Sequence, residues 1–319
     1  MVNLLTDLVP LKSKKFRNPI ILASGCFSRT SHSVKKMALA GAGAVVMKSV
    51  GPEPRAGFPH PRVVRREDYV LNAEGIPNPG YLAFASEVRE ASSVDIPVIV
   101  SIYGVTVDDY ARVAVAMEEA GADALEIGYA GSLVKSEISP ADPDAVEEVV
   151  RIVKKEVSIP VIAKLSLRDN LRVLAKAAAY GGADALAAIH AVPAMMINVE
   201  TGKPYLGRET GMGGLSGPSI KPIAVKAIAD IALTVDIPII GIGGITTGLD
   251  AIEMLMAGAH AVAIHTAILL EGVGVFRKIL KEIEEFMDDK KYRTVKDLIG
   301  VTLNYIRNSD PFRQIDERS

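Results

Sequence analysis

Two lysines at the ends of apolar segments are the residues of this sequence best suited to chemistry. Lys48 ends the run Val45-Val46-Met47-Lys48, and Lys164 ends the run Val161-Ile162-Ala163-Lys164. A lysine at the end of a buried strand loses hydration unless it meets an anion. An electron-rich cofactor or an acidic substrate would supply that anion. The alternative is a structural ion pair with a neighbouring carboxylate.

Two glycine turns in the last third of the chain, predicted at 213–217 and 241–244, indicate a phosphate-binding site. Glycine lets the backbone approach a ligand closely, and a strand end that leads into a helix directs free N–H groups at an anion. The second segment follows an apolar run, and Thr266 follows another one. Such a site could bind a phosphorylated sugar or flavin mononucleotide (FMN), and the two lysines favour FMN.

Repeated sequence phrases indicate the elements that position these residues. Variants of Gly-Ala-x-Ala lead into apolar segments at 41–46, 121–127, 182–189 and 258–264, and an Ile-Pro phrase opens three more near 97, 160 and 238. With the run 20–23, this makes eight strands. Unbroken apolar runs are typical of parallel strands buried on both faces. Intervening helices at 107–120, 144–155, 170–180 and 220–233 favour a (β/α)8 TIM barrel over an open doubly wound sheet.

The rest of the chain fits one domain over residues 1–319, with Gly51 to Gly80 as a long second βα loop over the catalytic face. The formal charge is −2 and there is no basic stripe, so nucleic-acid binding is not expected. Residues 1–19 contain neither a signal-peptide core nor a membrane span, and we expect a cytoplasmic protein. Cys26 is the only cysteine, which excludes an internal disulfide and a thiolate cluster; no metal site is predicted.

The chain resembles the class 1 dihydroorotate dehydrogenases, FMN-dependent TIM barrels of pyrimidine biosynthesis. The resemblance is carried by the segments 18–25, 48–55, 71–80, 164–166, 213–222 and 241–245. It implies a flavoprotein oxidoreductase that oxidises dihydroorotate, or a related dihydropyrimidine, by hydride transfer to flavin N5. It also implies a homodimer. Class 1B members would add a partner electron-transfer subunit that carries FAD and an iron–sulfur cluster.

The resemblance assigns roles residue by residue. Lys48 would lie between the flavin and a small planar ring-acid substrate, which would also bind Asn72 and the backbone near Gly75 and Ile76. Residues implied at the cofactor are Ala23, Ser24, Gly25, Lys48, Ser49, Ser101, Lys164, His190, Ser216, Gly217, Gly243, Gly244, His265 and Thr266.

The sequence departs from the family where the substrate is expected. After strand four, the family has an asparagine and, three residues later, a catalytic cysteine or serine; here Gly128 and Gly131 occupy these positions. Ser132 and Tyr129 are the candidates for proton transfer instead. Further departures are Ser101 and His190 in place of asparagines and His265 in place of a glycine.

These departures leave two alternatives open. One is an FMN-binding homologue with a different substrate or without dehydrogenase activity. The other is a non-redox phosphate-binding barrel, an isomerase or lyase that uses Lys48 or Lys164 as a base or Schiff-base donor.

Overall fold

Eight parallel strands close into a barrel in the computed structural model, which describes residues 2–129 and 137–309. The barrel strands, in spatial order from the first around to the second, are β1 (Ile20–Leu22), β16 (Ala261–Ile264), β15 (Ile239–Ile242), β10 (Ala185–Ala188), β9 (Val161–Leu165), β8 (Ala124–Ile127), β7 (Val98–Ile102) and β2 (Ala44–Val50). β1 pairs with both β16 and β2. Closure confirms the predicted TIM barrel and excludes the open sheet.

The barrel strands are buried on both faces because two sets of apolar side chains alternate along them. In β2, Ala44 and Val46 belong to a cluster inside the barrel, whereas Val45 and Met47 pack outward against the helices. Leu8 and Phe16, from the segment before β1, join the inner cluster and close the end of the barrel opposite the strand C-termini. This two-sided burial explains why the strands lack polar alternation.

Helices surround the barrel and follow its strands. Their bounds are α1 (Ser31–Ala40), α2 (Tyr81–Ala91), α3 (Val107–Glu119), α4 (Pro143–Glu156), α5 (Leu171–Tyr180), α6 (Lys221–Ala232), α7 (Gly248–Met256), α8 (Thr266–Glu271), α9 (Val275–Asp289) and α10 (Leu303–Ser309). Reciprocal capping boxes begin α1 at Thr30, α3 at Thr106 and α7 at Thr247. The four predicted helices are confirmed to within a residue at each end. No helix in 2–129 or 137–309 is long and apolar enough to cross a membrane.

Two insertions form small antiparallel sheets beside the barrel. The first contains β3 (Pro54–Arg55), β4 (Val63–Arg65), β5 (Val70–Asn72) and β6 (Asn78–Pro79); the second contains β11 (Val192–Met195), β12 (Ile197–Asn198), β13 (Lys203–Pro204) and β14 (Met212–Ser216). They meet in a four-stranded sheet of order β11-β14-β5-β4. The long loop after the second barrel strand is therefore an ordered platform.

The prediction of a glycine turn at 213–217 was wrong for most of its length. Gly213 and Gly214 lie in β14, and Gly214 pairs with Asn72 of β5. A Cβ at Gly213 would lie 2.4 Å from the Asn72 carbonyl oxygen, and one at Gly214 would lie 2.6 Å from Ala191 Cβ. These glycines permit close strand packing, and the turn begins only at Gly217, where φ is +101°.

Candidate active site

The C-terminal ends of the barrel strands bring together side chains that are distant in the sequence. Lys48 lies in β2 and Lys164 lies in β9, each near the end of its strand. His190 lies two residues after β10, and His265 directly follows β16. The charges of both lysines act on both histidines. These four predicted residues therefore surround one site at the barrel mouth.

Both lysines are engaged by carboxylates. Lys48 Nζ lies 2.6 Å from Glu74 Oε2, and Lys164 Nζ lies 3.3 Å from Glu126 Oε1. Glu126 is 1% exposed and points from β8 into the same buried region. Arg29 also contacts Glu74, at 3.3 Å. Each lysine thus forms an ion pair with a carboxylate, which was the structural alternative predicted from the sequence. Each pair orients its ammonium group at the barrel mouth.

The charge of Glu74 is maintained by its two cationic partners. Burial raises the pKa of the Glu74 carboxyl, but Lys48, through its charge and hydrogen bond, and Arg29 more than offset this effect and leave the pKa below its usual value. A carboxylate with a lowered pKa is ionised at neutral pH. The barrel mouth therefore contains a fixed negative charge beside Lys48.

Three serines link the ends of the first three barrel strands. The hydroxyl of Ser49 lies 3.2 Å from that of Ser24 and 2.9 Å from that of Ser101. Ser101 is 1% exposed, so its hydroxyl depends on this contact for hydrogen bonding. Ala23, which precedes Ser24, is buried in the inner cluster. The serines form a polar strip on which the edge of a flat ligand could form hydrogen bonds.

The two histidines are neutral at physiological pH. Desolvation, followed by the charges of Lys164 and Lys48, lowers the pKa of His190 to about 4. Desolvation and the charge of Lys48 also lower the pKa of His265 to about 4, against the opposing charge of Glu74, and Lys164 adds a weaker lowering effect. His190 is nevertheless exposed. Protein surrounds its ring while solvent still reaches it, as for a side chain that lines a depression.

His265 packs over the segment that follows β1. Its Nε2 lies 3.7 Å from Cys26 Sγ, and its ring centroid lies 5.1 Å from that of Phe27. A Cβ at Gly25 would lie 2.0 Å from Nε2, so only glycine fits beneath the ring. Burial, with a contribution from Glu74, raises the pKa of the Cys26 thiol, which favours its protonated form.

The predicted phosphate end comes together from three chain segments. The hydroxyl of Thr266 donates to Ser216 Oγ at 2.9 Å, and a Cβ at Gly217 would lie 3.4 Å from the Thr266 methyl carbon. Gly243 and Gly244 follow β15 with φ of +134° and +77°. Within the described residues, no side chain caps the turn after Gly217 or the start of α8. Pro218 has no N–H, and the N–H of Ser219 donates to the Asp68 carbonyl. The uncapped start of α8 is therefore the part of this end that is suited to an anion.

The segment assigned to the substrate follows β5. The Asn72 amide donates to the Gly214 carbonyl at 3.3 Å, which ties this segment to β14. Gly75 and Ile76 both have positive φ, +73° and +53°, and the Asn78 amide donates to the Ile76 carbonyl at 2.9 Å. Glu74 lies between Asn72 and Gly75, so this segment extends to Lys48 at the barrel mouth.

The structure describes only one of the two candidates for proton transfer. Ser132 and Gly131 lie outside the described residues. The phenol of Tyr129 is 3.5 Å from the Val146 carbonyl of α4 and packs against Tyr110, and its pKa is raised well above the usual value by burial and by Tyr110. The structure thus directs Tyr129 toward the helical layer. Gly128 donates its N–H to the Ile102 carbonyl.

Sequence reasoning did not identify either carboxylate. Glu126 is the single charged residue in the apolar run 124–127, and a charge inside a buried strand was the available signal. Glu74 stands in a segment that was assigned to the substrate through its neighbours. No local pattern links it to Lys48, because the two residues meet only through the fold.

Comparisons with known proteins agree with this arrangement. A family model described as dihydroorotate dehydrogenase matches residues 8–287. The chain is 44% identical over 293 residues to the dihydroorotate dehydrogenase B (NAD(+)), catalytic subunit, of Pyrococcus abyssi, covering 91% of this chain and 96% of the relative. The proteins of the same name from Thermococcus kodakarensis and Methanocella arvoryzae are 42% and 39% identical over 299 and 294 residues, covering 92% and 91% of this chain and 97% and 96% of theirs. The resemblance inferred from the motifs is confirmed: the chain belongs to the dihydroorotate dehydrogenase family.

Proposed function

We propose that this protein is an FMN-dependent dehydrogenase that oxidises dihydroorotate or a closely related dihydropyrimidine. The observation that carries the proposal is the grouping, around one barrel mouth, of the contact between Thr266 and Ser216, the two paired lysines and the segment that contains Asn72. The names of the relatives, dihydroorotate dehydrogenase B catalytic subunits, support the same reaction.

The phosphate end fits the phosphate of FMN. An added Cβ at Gly217, Gly243 or Gly244 would lie 3.1, 2.7 or 2.6 Å from its nearest neighbour, so the backbone at these turns is open only to glycine. With the start of α8 and the hydroxyls of Ser216 and Thr266, these turns would bind the phosphate. Lys164 and the strip formed by Ser24, Ser49 and Ser101 would contact the flavin ring. When bound, FMN supplies the hydride acceptor.

The chain's own residues then orient the substrate. Lys48 donates hydrogen bonds toward a ring carbonyl, and Asn72 with the backbone of Gly75 and Ile76 fixes the ring edge. Neutral His190 can donate a hydrogen bond without adding charge. For the proton, we propose Ser132 over Tyr129, because the Tyr129 phenol is directed toward α4.

Anaerobic titration of the purified holoprotein with dihydroorotate tests the proposal. We expect a yellow protein whose flavin absorbance bleaches on mixing. Ser132→Ala should slow bleaching by about two orders of magnitude at unchanged FMN content, and Tyr129→Phe should leave it close to wild type. A colourless protein that does not take up FMN would refute the cofactor assignment and favour an isomerase or lyase. Yellow protein that no dihydropyrimidine bleaches would refute the dehydrogenase activity.

The ion pairs argue against the isomerase or lyase. A Schiff-base nucleophile must present a free amine, whereas Lys48 and Lys164 are held in ion pairs with Glu74 and Glu126. Lysine chemistry of that kind would require one of the two pairs to separate first.

We also propose that the protein works in an assembly. The relatives are named catalytic subunits of an NAD(+)-linked enzyme, which supports a partner electron-transfer subunit. The resemblance to class 1B members implies that this partner carries FAD and an iron–sulfur cluster. A homodimer is the second expectation. Size-exclusion chromatography with light scattering tests the dimer, and NAD(+) reduction with and without a co-expressed partner subunit tests the electron transfer.

A further inference from the structure

We propose that Glu126 is a positioning residue that lowers the reduction potential of bound FMN by offsetting the charge of Lys164. This inference rests on the proposed function, which assigns Lys164 to the flavin ring, and it gives a role to a buried carboxylate that the proposed function leaves unused. The observation behind it is the ion pair of these two residues inside the barrel, with Lys164 Nζ 3.3 Å from Glu126 Oε1.

Strand alternation directs both side chains of the pair into the barrel. In β8, Ala124 belongs to the inner apolar cluster, and Glu126 follows it by two residues on the same face of the strand. In β9, Ile162 belongs to the same cluster, and Lys164 follows it by two residues. The pair therefore lies inside the barrel and not between the barrel and its surrounding helices.

The strand register places Glu126 between two residues that are assigned to the flavin ring. Glu126 pairs with Ser101 of β7 on one side and with Ile162 of β9 on the other. Lys164 lies two residues further along β9 than Ile162, so it is nearer the barrel mouth than Glu126. Because Glu126 is 1% exposed, solvent screens its charge very little. A ligand held by Ser101 and Lys164 therefore experiences the charge of this carboxylate.

The other charges at the barrel mouth have their own partners. Lys48 Nζ lies 2.6 Å from the Glu74 carboxylate, which Arg29 also contacts at 3.3 Å. Arg55 Nε donates to the Gly75 carbonyl at 3.3 Å in the same segment. These groups surround the segment that is assigned to the substrate. Substitutions at the buried pair leave all of them in place, so a change in potential reports on the pair itself.

The charges of the pair act on the ring in opposite directions. A ring that accepts a hydride gains one negative charge, which the Lys164 ammonium stabilises and the Glu126 carboxylate destabilises. With an effective dielectric constant of about 20, one charge changes the equilibrium of another more than tenfold even at a separation of about 10 Å. Glu126 thus offsets part of the effect of Lys164 and makes the reduced ring a stronger electron donor. This favours onward electron transfer to the proposed partner subunit.

The reduction potential of bound FMN tests the inference without any substrate. It is measured anaerobically at pH 7 in equilibrium with a reference dye, and its difference from that of free FMN gives the ratio in which the protein binds the reduced and the oxidised forms. We expect Glu126→Gln to raise this ratio about tenfold, which corresponds to about 30 mV for a two-electron couple. Glu285→Gln neutralises an exposed carboxylate that lies 3.4 Å from Lys281, and it should leave the ratio within twofold.

A second background keeps the test decisive if Glu126→Gln alone folds poorly. Lys164→Met leaves the carboxylate without its countercharge, so the ratio should fall about tenfold. The double variant Glu126→Gln/Lys164→Met differs from Lys164→Met only at residue 126 and contains no charge at the pair. It should restore folding and raise the ratio again about tenfold. Melting curves with FMN bound show which variants are folded.

The outcomes separate this inference from the proposed function. A decrease in the ratio on substitution of Glu126, or an increase below threefold in a background that folds, would overturn the role of Glu126. Dihydroorotate takes no part in the measurement. A flavin that dihydroorotate does not bleach would therefore refute the dehydrogenase activity, while the potentials would still decide the role of Glu126. A protein that binds no FMN would overturn both proposals.

Discussion

The buried ion pair between Lys164 and Glu126 predicts a large effect of Glu126→Gln on stability. The Lys164 ammonium lies 3.3 Å from the Glu126 carboxylate, and the side chains are 10% and 2% exposed. With an effective dielectric constant of about 20, their attraction is about 5 kcal/mol. Removal of the carboxylate leaves the ammonium buried without its countercharge. We therefore expect the free energy of unfolding to fall by about 3–5 kcal/mol.

An exposed pair of nearly the same length provides the control. Lys281 Nζ lies 3.4 Å from Glu285 Oε1, with side chains that are 75% and 64% exposed. Solvent screens this pair, so Glu285→Gln should cost only about 0.5 kcal/mol. Urea denaturation followed by circular dichroism measures both variants without added FMN. If Glu126→Gln lowers the free energy of unfolding no more than Glu285→Gln does, burial does not strengthen the pair of Lys164 and Glu126, and the reasoning is refuted.

Two further substitutions test the neutral histidines and the phosphate turn. Because the pKa of His265 is lowered to about 4 in the fold and is about 6.5 when unfolded, the unfolded chain binds more protons between these values. We therefore expect the melting temperature to fall between pH 7 and pH 4, and to fall less steeply in His265→Gln than in wild type. An equal dependence on pH in the two proteins would contradict this. Gly244→Ala places a Cβ 2.6 Å from Lys221 Cβ at φ +77°, whereas Gly202→Ala has φ +69° and open space. Urea denaturation should show a cost of about 1–2 kcal/mol for Gly202→Ala and a clearly larger one for Gly244→Ala, and equal costs would refute the steric argument.

The barrel could be predicted from the sequence because its signals are local. Each strand is a short apolar run, and each run follows a helix or an Ile-Pro phrase within a few residues. Burial on both faces removes the need for polar alternation, so the pattern survives in strands as different as 44–50 and 261–264. The lysines at strand ends could be placed for the same reason.

The platform beside the barrel could not be predicted in the same way. β14 pairs with β5, and the two strands come from insertions more than 100 residues apart in the sequence. A segment such as 213–216, with two glycines, has weak strand propensity and resembles a turn. Only the partner strand explains its conformation, since the glycines let the Asn72 carbonyl and Ala191 approach closely.

The two ends of the site differ in how a substitution would affect them. The phosphate end depends on backbone shape at Gly217, Gly243 and Gly244, where φ is positive and a side chain would collide with neighbours, so a change there disturbs the fold and the cofactor site together. The proposed substrate end contains the charged pair of Lys48 and Glu74, neither of which belongs to the barrel's apolar core. We therefore expect a single charge change at Glu74 to leave the glycine turns intact. This difference explains how a sequence can match its family at the glycine turns and depart from it around the substrate.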